Sequence, residues 1–213
     1  MQIRVIGPRD PKSAVVGTLV NTTSHSDDWH REFSPFFLGP VPLPGGMTAV
    51  RMENAWQYAK VYAEHLDADG NPSRAYWNWA IQGWAKFGAV RYPMGKGAKP
   101  AYVWWDGEKL PYVESRLRVY FPLYRDAVRK MPAFARLQQM AQEGPVTLFD
   151  FDGYDHEAAA TGLTLRQVFL NPTRPMGHAF VLKAMLLYGP DVQFEDIDDS
   201  KLDAPALPQM SMF

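Results

Sequence analysis

Met52-Glu53-Asn54-Ala55-Trp56-Gln57-Tyr58-Ala59-Lys60 is the stretch on which the fold and the site both turn. Its spacing predicts a helix from near Arg51 to about Leu66. At about 100° per residue, Glu53, Gln57, Lys60 and Glu64 then fall within an arc of roughly 60°. Met52, Trp56, Ala59, Ala63 and Leu66 form an apolar stripe beside that arc, and Asn54, Tyr58, Val61 and His65 take the remaining side. A polar stripe that borders the core face, instead of opposing it, stands where pocket-lining groups belong. A rise of ~1.5 Å per residue starts Glu53 and Lys60 about 10 Å apart along the axis. Two long side chains can lean toward one ligand across that gap, with the Gln57 amide in the middle. The same spacing also describes a solvated face held by weak i,i+4 pairs, so periodicity alone leaves both open.

Upstream, residues 1–23 read as strands: Ile3 to Ile6, a Gly-Pro turn, then Ala14 to Val20, rich in β-branched residues. Phe33 to Leu38 is short, aromatic and strand-like, and a Pro/Gly loop leads from it to the helix. Downstream, the pattern predicts a second helix from about Ser73 to Phe87 and a short strand Tyr102-Val103-Trp104-Trp105. Helical periodicity then runs from Tyr112 to Met131, kinked or divided by Pro122. A helix from about Pro132 to Glu143 leads to the strand Val146-Thr147-Leu148-Phe149 and an acidic loop, Asp150 to Asp155. A short helix near Thr164–Phe169 and a final one over about Met176–Tyr188 complete the elements. The expectation is a predominantly helical α+β fold with short strands: one domain over residues 1–190, with residues 1–30 as an N-terminal strand extension. Residues 191–213, acidic and without periodicity, read as a tail or lid.

Composition bounds the function. Hydrophobic residues make up 46% of the 213 and aromatics 14%, with seven Trp. That is enough for one buried core, with rings to spare for a pocket that stacks flat ligands. A net charge of −1 with no basic block gives no support for salt-driven binding to duplex nucleic acid. The absence of Cys removes disulfides, thiol nucleophiles and Cys–metal sites. The five His lack metal-ligand spacing, and Asp150, Asp152 and Asp155 are not followed by an EF-hand pattern, so no metal and no cofactor is expected. No apolar run approaches a membrane span, and a cytoplasmic location is the default expectation.

The order of motifs resembles the NADAR (YbiA-like) superfamily. There a Ser/Phe-rich start and a loop precede a helix reading Glu-x-x-x-Gln-x-x-Lys; here Phe33-Ser34-Pro35-Phe36 precedes Glu53, Gln57 and Lys60, with Trp56 at an aromatic position typical of the motif. Thr147-Leu148-Phe149-Asp150, followed by Tyr154 and Asp155, is similar to the family's Thr-Leu-x-Glu and later Asp, with Asp in place of Glu. Met176-Gly177-His178 through Leu187 is similar to its closing Gly and apolar helix. The likeness spans about residues 33–188. His156-Glu157-Ala158 stands where the family has Trp-Gly, and its Asn before the closing Gly has no aligned equivalent.

The resemblance implies an N-glycosidase that cleaves the bond between ribose and nitrogen in an ADP-ribosylated base, or in a ribosylamine. It implies catalytic roles for Glu53, Lys60, Asp150 and Asp155, and substrate contacts from Ser34, Phe36, Gln57, Tyr154 and Gly177. The partner is then a small-molecule or nucleic-acid-linked ADP-ribose-type substrate, with contact to single-stranded or modified DNA left open. Lys60 has two roles in view: an imine with the opened ribose, which needs a neutral amine, or a cation for diphosphate or hydroxyls. The residues themselves add Arg91, in a Gly/Lys-rich loop that can hold phosphate through Lys96 and Lys99 as well, and Trp104 or Trp105 to stack a base. His178, at a helix start, reads as a cap or packing residue. Two other classes stay in play: a module that binds NAD, ADP-ribose or a modified nucleotide without cleaving it, and a phage-type accessory protein.

Overall fold

The computed structural model describes residues 1–198. In chain order, the first elements are strands β1 (Ile3–Ile6) and β2 (Thr18–Asn21), then a 3-10 turn over Trp29–Phe33 and the two-residue strands β3 (Val41–Pro42) and β4 (Thr48–Ala49). Helix α1 (Met52–Tyr58), strand β5 (Lys60–Val61) and helix α2 (Arg74–Trp84) follow. Next come β6 (Tyr102–Trp105), β7 (Glu108–Leu110) and three helices, α3 (Tyr112–Ser115), α4 (Phe121–Val128) and α5 (Pro132–Glu143). Strand β8 (Val146–Phe149) and helices α6 (Leu165–Leu170) and α7 (His178–Tyr188) complete the order, with a 3-10 turn at Phe194–Asp196. The whole is a mixed, predominantly helical α+β domain with short strands.

The N-terminal strands pair into the same sheet as a strand from late in the chain. β8 lies between β1 and β2 and pairs with both in parallel, Ile3 and Thr18 each opposite Val146. Two chain-distant segments therefore complete one sheet, and α7 packs across β1 and β8. Ala179, Phe180, Val181, Leu182, Ala184 and Met185 are all fully buried, as an apolar helix surrounded by protein must be. Its one cation, Lys183, is buried as well; it donates to Glu157 and to Nε2 of His156 (3.1 Å), whose Nδ1 donates to the Leu163 carbonyl (2.7 Å). That chain of bonds pins the loop after β8 to the core.

Several boundaries differ from the sequence expectation. Phe33–Leu38 is not a strand: it follows a 3-10 turn started by Asp28, whose side chain accepts from Trp29 N, and continues as turns held by Phe37 and Leu38 N–H groups donating to Ser34 O. Only Thr18–Asn21 of the second segment pairs, because Lys12–Ala14 is wound into a 3-10 turn. The first helix stops at Tyr58, far short of Leu66. Lys60 and Val61 are recruited by Val103 and Tyr102 of β6, and Trp104 N donates to Ala59 O, so a long-range ladder overrides helical periodicity. Residues 191–198 pack against the domain. Val192 and Ile197 are buried, and the carbonyls of Val192, Phe194 and Ile197 accept from Arg125 and Arg166. The remainder of the tail or lid expected over 191–213 lies outside the described residues.

Pro122 divides the long helix as expected, in a specific way. Between α3 and α4 the backbone opens into a π turn over Arg116–Tyr120. Proline has no N–H to continue the ladder and its ring crowds the preceding turn, which the wider turn accommodates. This widening carries Arg116 and Tyr120 to the wall of the cavity described next.

Candidate functional site

One cavity of about 510 Å³ opens between α1, the π turn, the loop after β8 and the start of α7. The size suits a small organic ligand. Glu53, Gln57 and Lys60 line it together, although Lys60 projects from β5 and not from the helix. The three side chains form one line: Gln57 Nε2 donates to Glu53 Oε1 at 2.9 Å, and Lys60 Nζ donates to Gln57 Oε1 at 2.7 Å. An ammonium only donates, so the Gln57 oxygen must face Lys60 and its NH₂ must face Glu53. The acid and the amine thus communicate through an amide, and the second Glu53 oxygen is left for a ligand.

Local structure holds this line in place. Met52 and Glu53 N–H groups donate to the carbonyls of Leu38 and Pro35, which lays the Ser34–Phe36 turn against the mouth of the helix. Fully buried Asn54 donates to the carbonyls of Lys86 and Gly88 and accepts from Val90 N, which delivers Arg91 to the cavity. Gly83 of α2 packs on the Tyr58 ring so closely that a Cβ there would sit 2.0 Å from it. At the far wall, Asp150 Oδ2 accepts from Ala179 N (3.0 Å) and faces His178 Nδ1 (3.1 Å), while His178 Nε2 meets Thr22 O (2.8 Å). Gly177 allows that approach, since a Cβ would fall 2.3 Å from the Asp150 carboxylate.

Burial sets the electrostatics. Glu53 is only 7% exposed, and loss of water pushes its carboxyl above the ordinary carboxylate range, against the opposing pull of Gln57, Lys60, Arg91 and His178. Desolvation also lowers Lys60, to about 8, with Glu53 pulling up and Arg91 pushing down. Roughly a tenth of Lys60 is then neutral at pH 7. Burial raises Asp152 too, although Arg91 donates to it at 2.8 Å. Acid and amine both shifted toward their neutral forms in one cavity mark it as the candidate site.

The Lys60 shift has a consequence for stability. Its folded pKa lies below the ordinary value of 10.5, so stability rises with pH between about 8 and 10.5, and the penalty of desolvating a charge is fully present below 8. Lys60→Met is therefore expected to raise the unfolding free energy at pH 7 by about 1–2 kcal/mol. Urea titration at pH 7 and pH 10 measures it. A loss of stability at both pH values would contradict the desolvation account.

The other residues singled out from sequence divide in two. Ser34, Phe36, Arg91, Asp150 and Gly177 line the same cavity as Glu53, Gln57 and Lys60. Asp155, Tyr154, Trp104 and Trp105 do not. Asp155 turns toward Arg4 (3.8 Å) and helps shape the loop through Glu157 N. Tyr154 packs on Phe180 beneath Arg174 and faces a neighbouring cavity of about 530 Å³. Trp104 meets Trp77 and Tyr102, and Trp105 packs against the small cluster of Ala59, Val103 and Leu110, on the sheet behind Lys60. Lys96 and Lys99 stay off the cavity wall, so Arg91 alone of that loop's cations reaches it.

Arg116, Tyr120 and Asp152 also bring chemistry to the wall without a site role expected from sequence, and His178, expected as a cap or packing residue, stands there too. Arg116 is almost wholly buried, and its guanidinium donates to the carbonyls of Phe169, Asn171 and Arg174 at 2.9–3.1 Å and to Val168 O at 3.3 Å. Tyr120 meets Trp56 edge-on at 5.2 Å, and burial holds its hydroxyl protonated. Only the Pro122 signal pointed toward the π turn that places both. Among the described residues, no group of three or more His, Asp or Glu side chains is arranged to hold a metal ion, and no helix is long and apolar enough to cross a membrane.

Fold and site together define a helix-rich α+β domain with a buried acid–amide–amine line in a cavity. The chain belongs to DUF6939, a family of unknown function, whose model matches residues 11–181 and so takes in every group of that line. No curated protein and no solved structure matches it.

Proposed function

We propose that the cavity hydrolyses an N-glycosidic bond between ribose and a base, of the NADAR type suggested by the motif order. The observation that carries this reading is the line Glu53–Gln57–Lys60, with a carboxyl raised by burial and an amine lowered to about 8 on one cavity wall.

The chemistry needs a proton at the leaving nitrogen and stabilisation of positive charge at the anomeric carbon. In its protonated form Glu53 supplies the proton from the oxygen not engaged by Gln57. The C1′–N bond breaks with its electron pair on nitrogen, which takes that proton. A water oxygen bonds to C1′ and gives its spare proton to Asp152. Base and ribose hydroxyl are the products, and proton return from Asp152 through solvent resets Glu53. Asp150, committed to the start of α7, shapes the wall. Asp155, outside the cavity, has no part.

Lys60 adds a covalent variant. Its neutral amine bonds to C1′ as the base leaves, the ribose ring opens to an imine, and water later releases the sugar. Borohydride added during turnover should leave a reduced sugar adduct on Lys60, read by peptide mass spectrometry. The rate should pass through a maximum with pH, because the neutral fraction of the amine grows toward its pKa of about 8 while the protonated fraction of Glu53 falls. Absence of an adduct, together with substrate binding that weakens above pH 8, assigns Lys60 the simpler role of a binding cation.

The reading is tested by incubating the protein with ADP-ribosylated guanosine, free or in single-stranded DNA, and separating the products. Release of base supports it. Tight binding with no release favours a binding module that uses the same cavity.

A further inference from the structure

Among the described residues, four phenyl or phenol rings are exposed: Phe87, Tyr92, Tyr112 and Phe151. Three of them, Tyr92 (48% exposed), Tyr112 (44%) and Phe151 (42%), line the one cavity that holds Glu53 and Lys60. Exposed rings are costly to hydrate, and their gathering at a single opening points to an occupant.

Each ring is also propped. The Arg91 guanidinium lies 5.3 Å from the Tyr92 ring centre, and that of Arg116 lies 4.6 Å from the centre of Tyr112. Phe151 meets His25 at 5.3 Å with the ring planes at 80°. The props are anchored in turn, Arg91 by Asp152 and Arg116 by its row of carbonyls. Side chains held in this way lose little further freedom when a ligand arrives.

We propose that Tyr92, Tyr112 and Phe151 form a fixed aromatic rim that stacks a neutral planar heteroaromatic ring at the mouth of the cavity. The charge arrangement selects the kind of ring. Tyr92 and Tyr112 already spend π density on a guanidinium, so each has little attraction left for a second cation. Lys60, Arg91 and Arg116 face the same space as Glu53, Asp150 and Asp152, so the lining charges offset one another and the preference rests on the two occupied tyrosine rings. A neutral purine or pyrimidine is therefore taken in preference to a pyridinium. This rests on the glycosidase reading only for its consequence: the stacked ring would be the leaving group, with ribose directed inward to Glu53.

The test is binding, so it stands apart from turnover. Guanosine and the pyridinium nucleoside nicotinamide riboside are titrated by calorimetry into wild type, Y92A, Y112A and F151A, with ribose as the ringless control. Thermal melts confirm that the variants fold, which their exposed positions favour. Guanosine should bind at least about tenfold more tightly than nicotinamide riboside, and one or more variants should lose roughly tenfold for guanosine while leaving ribose unchanged. Equal or tighter binding of the pyridinium overturns the proposal, as does guanosine binding untouched in all three variants or absent in wild type. Guanosine binding with that pattern, in a protein that releases no base, would sink the glycosidase reading and leave the rim standing.

Discussion

Replacing Glu53 by Gln should lower the rate of base release by about 10²- to 10⁴-fold, the span typical of losing a general acid. The substitution is nearly isosteric, and the amide can still accept from Gln57 through its oxygen. It removes the one buried carboxyl placed to hand a proton to a leaving nitrogen. Substrate affinity should change far less than turnover, because the cavity walls are untouched. The variant should also be no less stable than wild type at neutral pH. A carboxyl whose folded pKa is raised by burial has its full stability below the unfolded value of 4.5, and loses stability as pH rises through the folded pKa. Gln cannot ionise, so the variant's stability should be flatter with pH over that range. Product release and urea titrations across pH 4–9 check both halves. Loss of turnover accompanied by a large loss of stability would mean that Glu53 is chiefly structural.

The second large effect concerns stability. Arg116→Met should cost about 3–5 kcal/mol, because four carbonyls at the end of α6 and in the loop beyond it lose their charged donor at once. Water can reach only some of them, since the Val168 and Phe169 carbonyls are buried with the guanidinium. Arg116→Lys should recover only part, as a single ammonium cannot match the span of a planar fork. Chemical denaturation of the three proteins decides it, and a cost below about 1 kcal/mol for Met would show that the carbonyls find other partners. The loop held by Arg116 also carries Pro175 and Met176 into the cavity wall, so weaker ligand binding should accompany the lost stability.

These expectations show which parts of the molecule are legible from residue order. The acid, amide and amine stand at helical spacing, and the start of α1 follows directly from that spacing. The end of α1 does not, because it depends on β6, forty residues away, claiming Lys60 and Val61. Lys60 reaches the cavity all the same, since the chain leaves Ala59 in a nearly helical conformation before it turns into the strand. Helices α5 and α6 announce themselves locally, the first by Pro132 at its start and the second by Thr164 and Gln167, which form a reciprocal cap. The parallel order β1-β8-β2 is a non-local outcome that alternation within a strand cannot reveal.

The site was legible in the same uneven way. Local motifs identified Ser34, Glu53, Gln57, Lys60 and Asp150, which the fold brings to one cavity. Aromatic chemistry makes Trp104 and Trp105 candidates, but strand alternation tells which face a ring takes, not which cavity lies on that face. Asp155 was drawn in by its distance along the chain from Asp150; five residues of loop were enough to turn it toward Arg4. Helical spacing puts Asn54 on the side away from the acid and the amine, and there it clamps the segment that presents Arg91. Arg116 and Tyr120 depend on a widened helical turn, and His178 on the meeting of α7 with the residue after β2, so neither had a local signature beyond Pro122 and Gly177.

The most direct measurement follows free guanine-containing product and ADP-ribose by chromatography after mixing ADP-ribosylated guanosine with wild type and with Glu53→Gln in parallel. The account predicts steady release by wild type and release slowed about 10²- to 10⁴-fold in the variant, with both proteins binding the substrate. Equal release by the two proteins, or no release by wild type while it binds the substrate tightly, would contradict it.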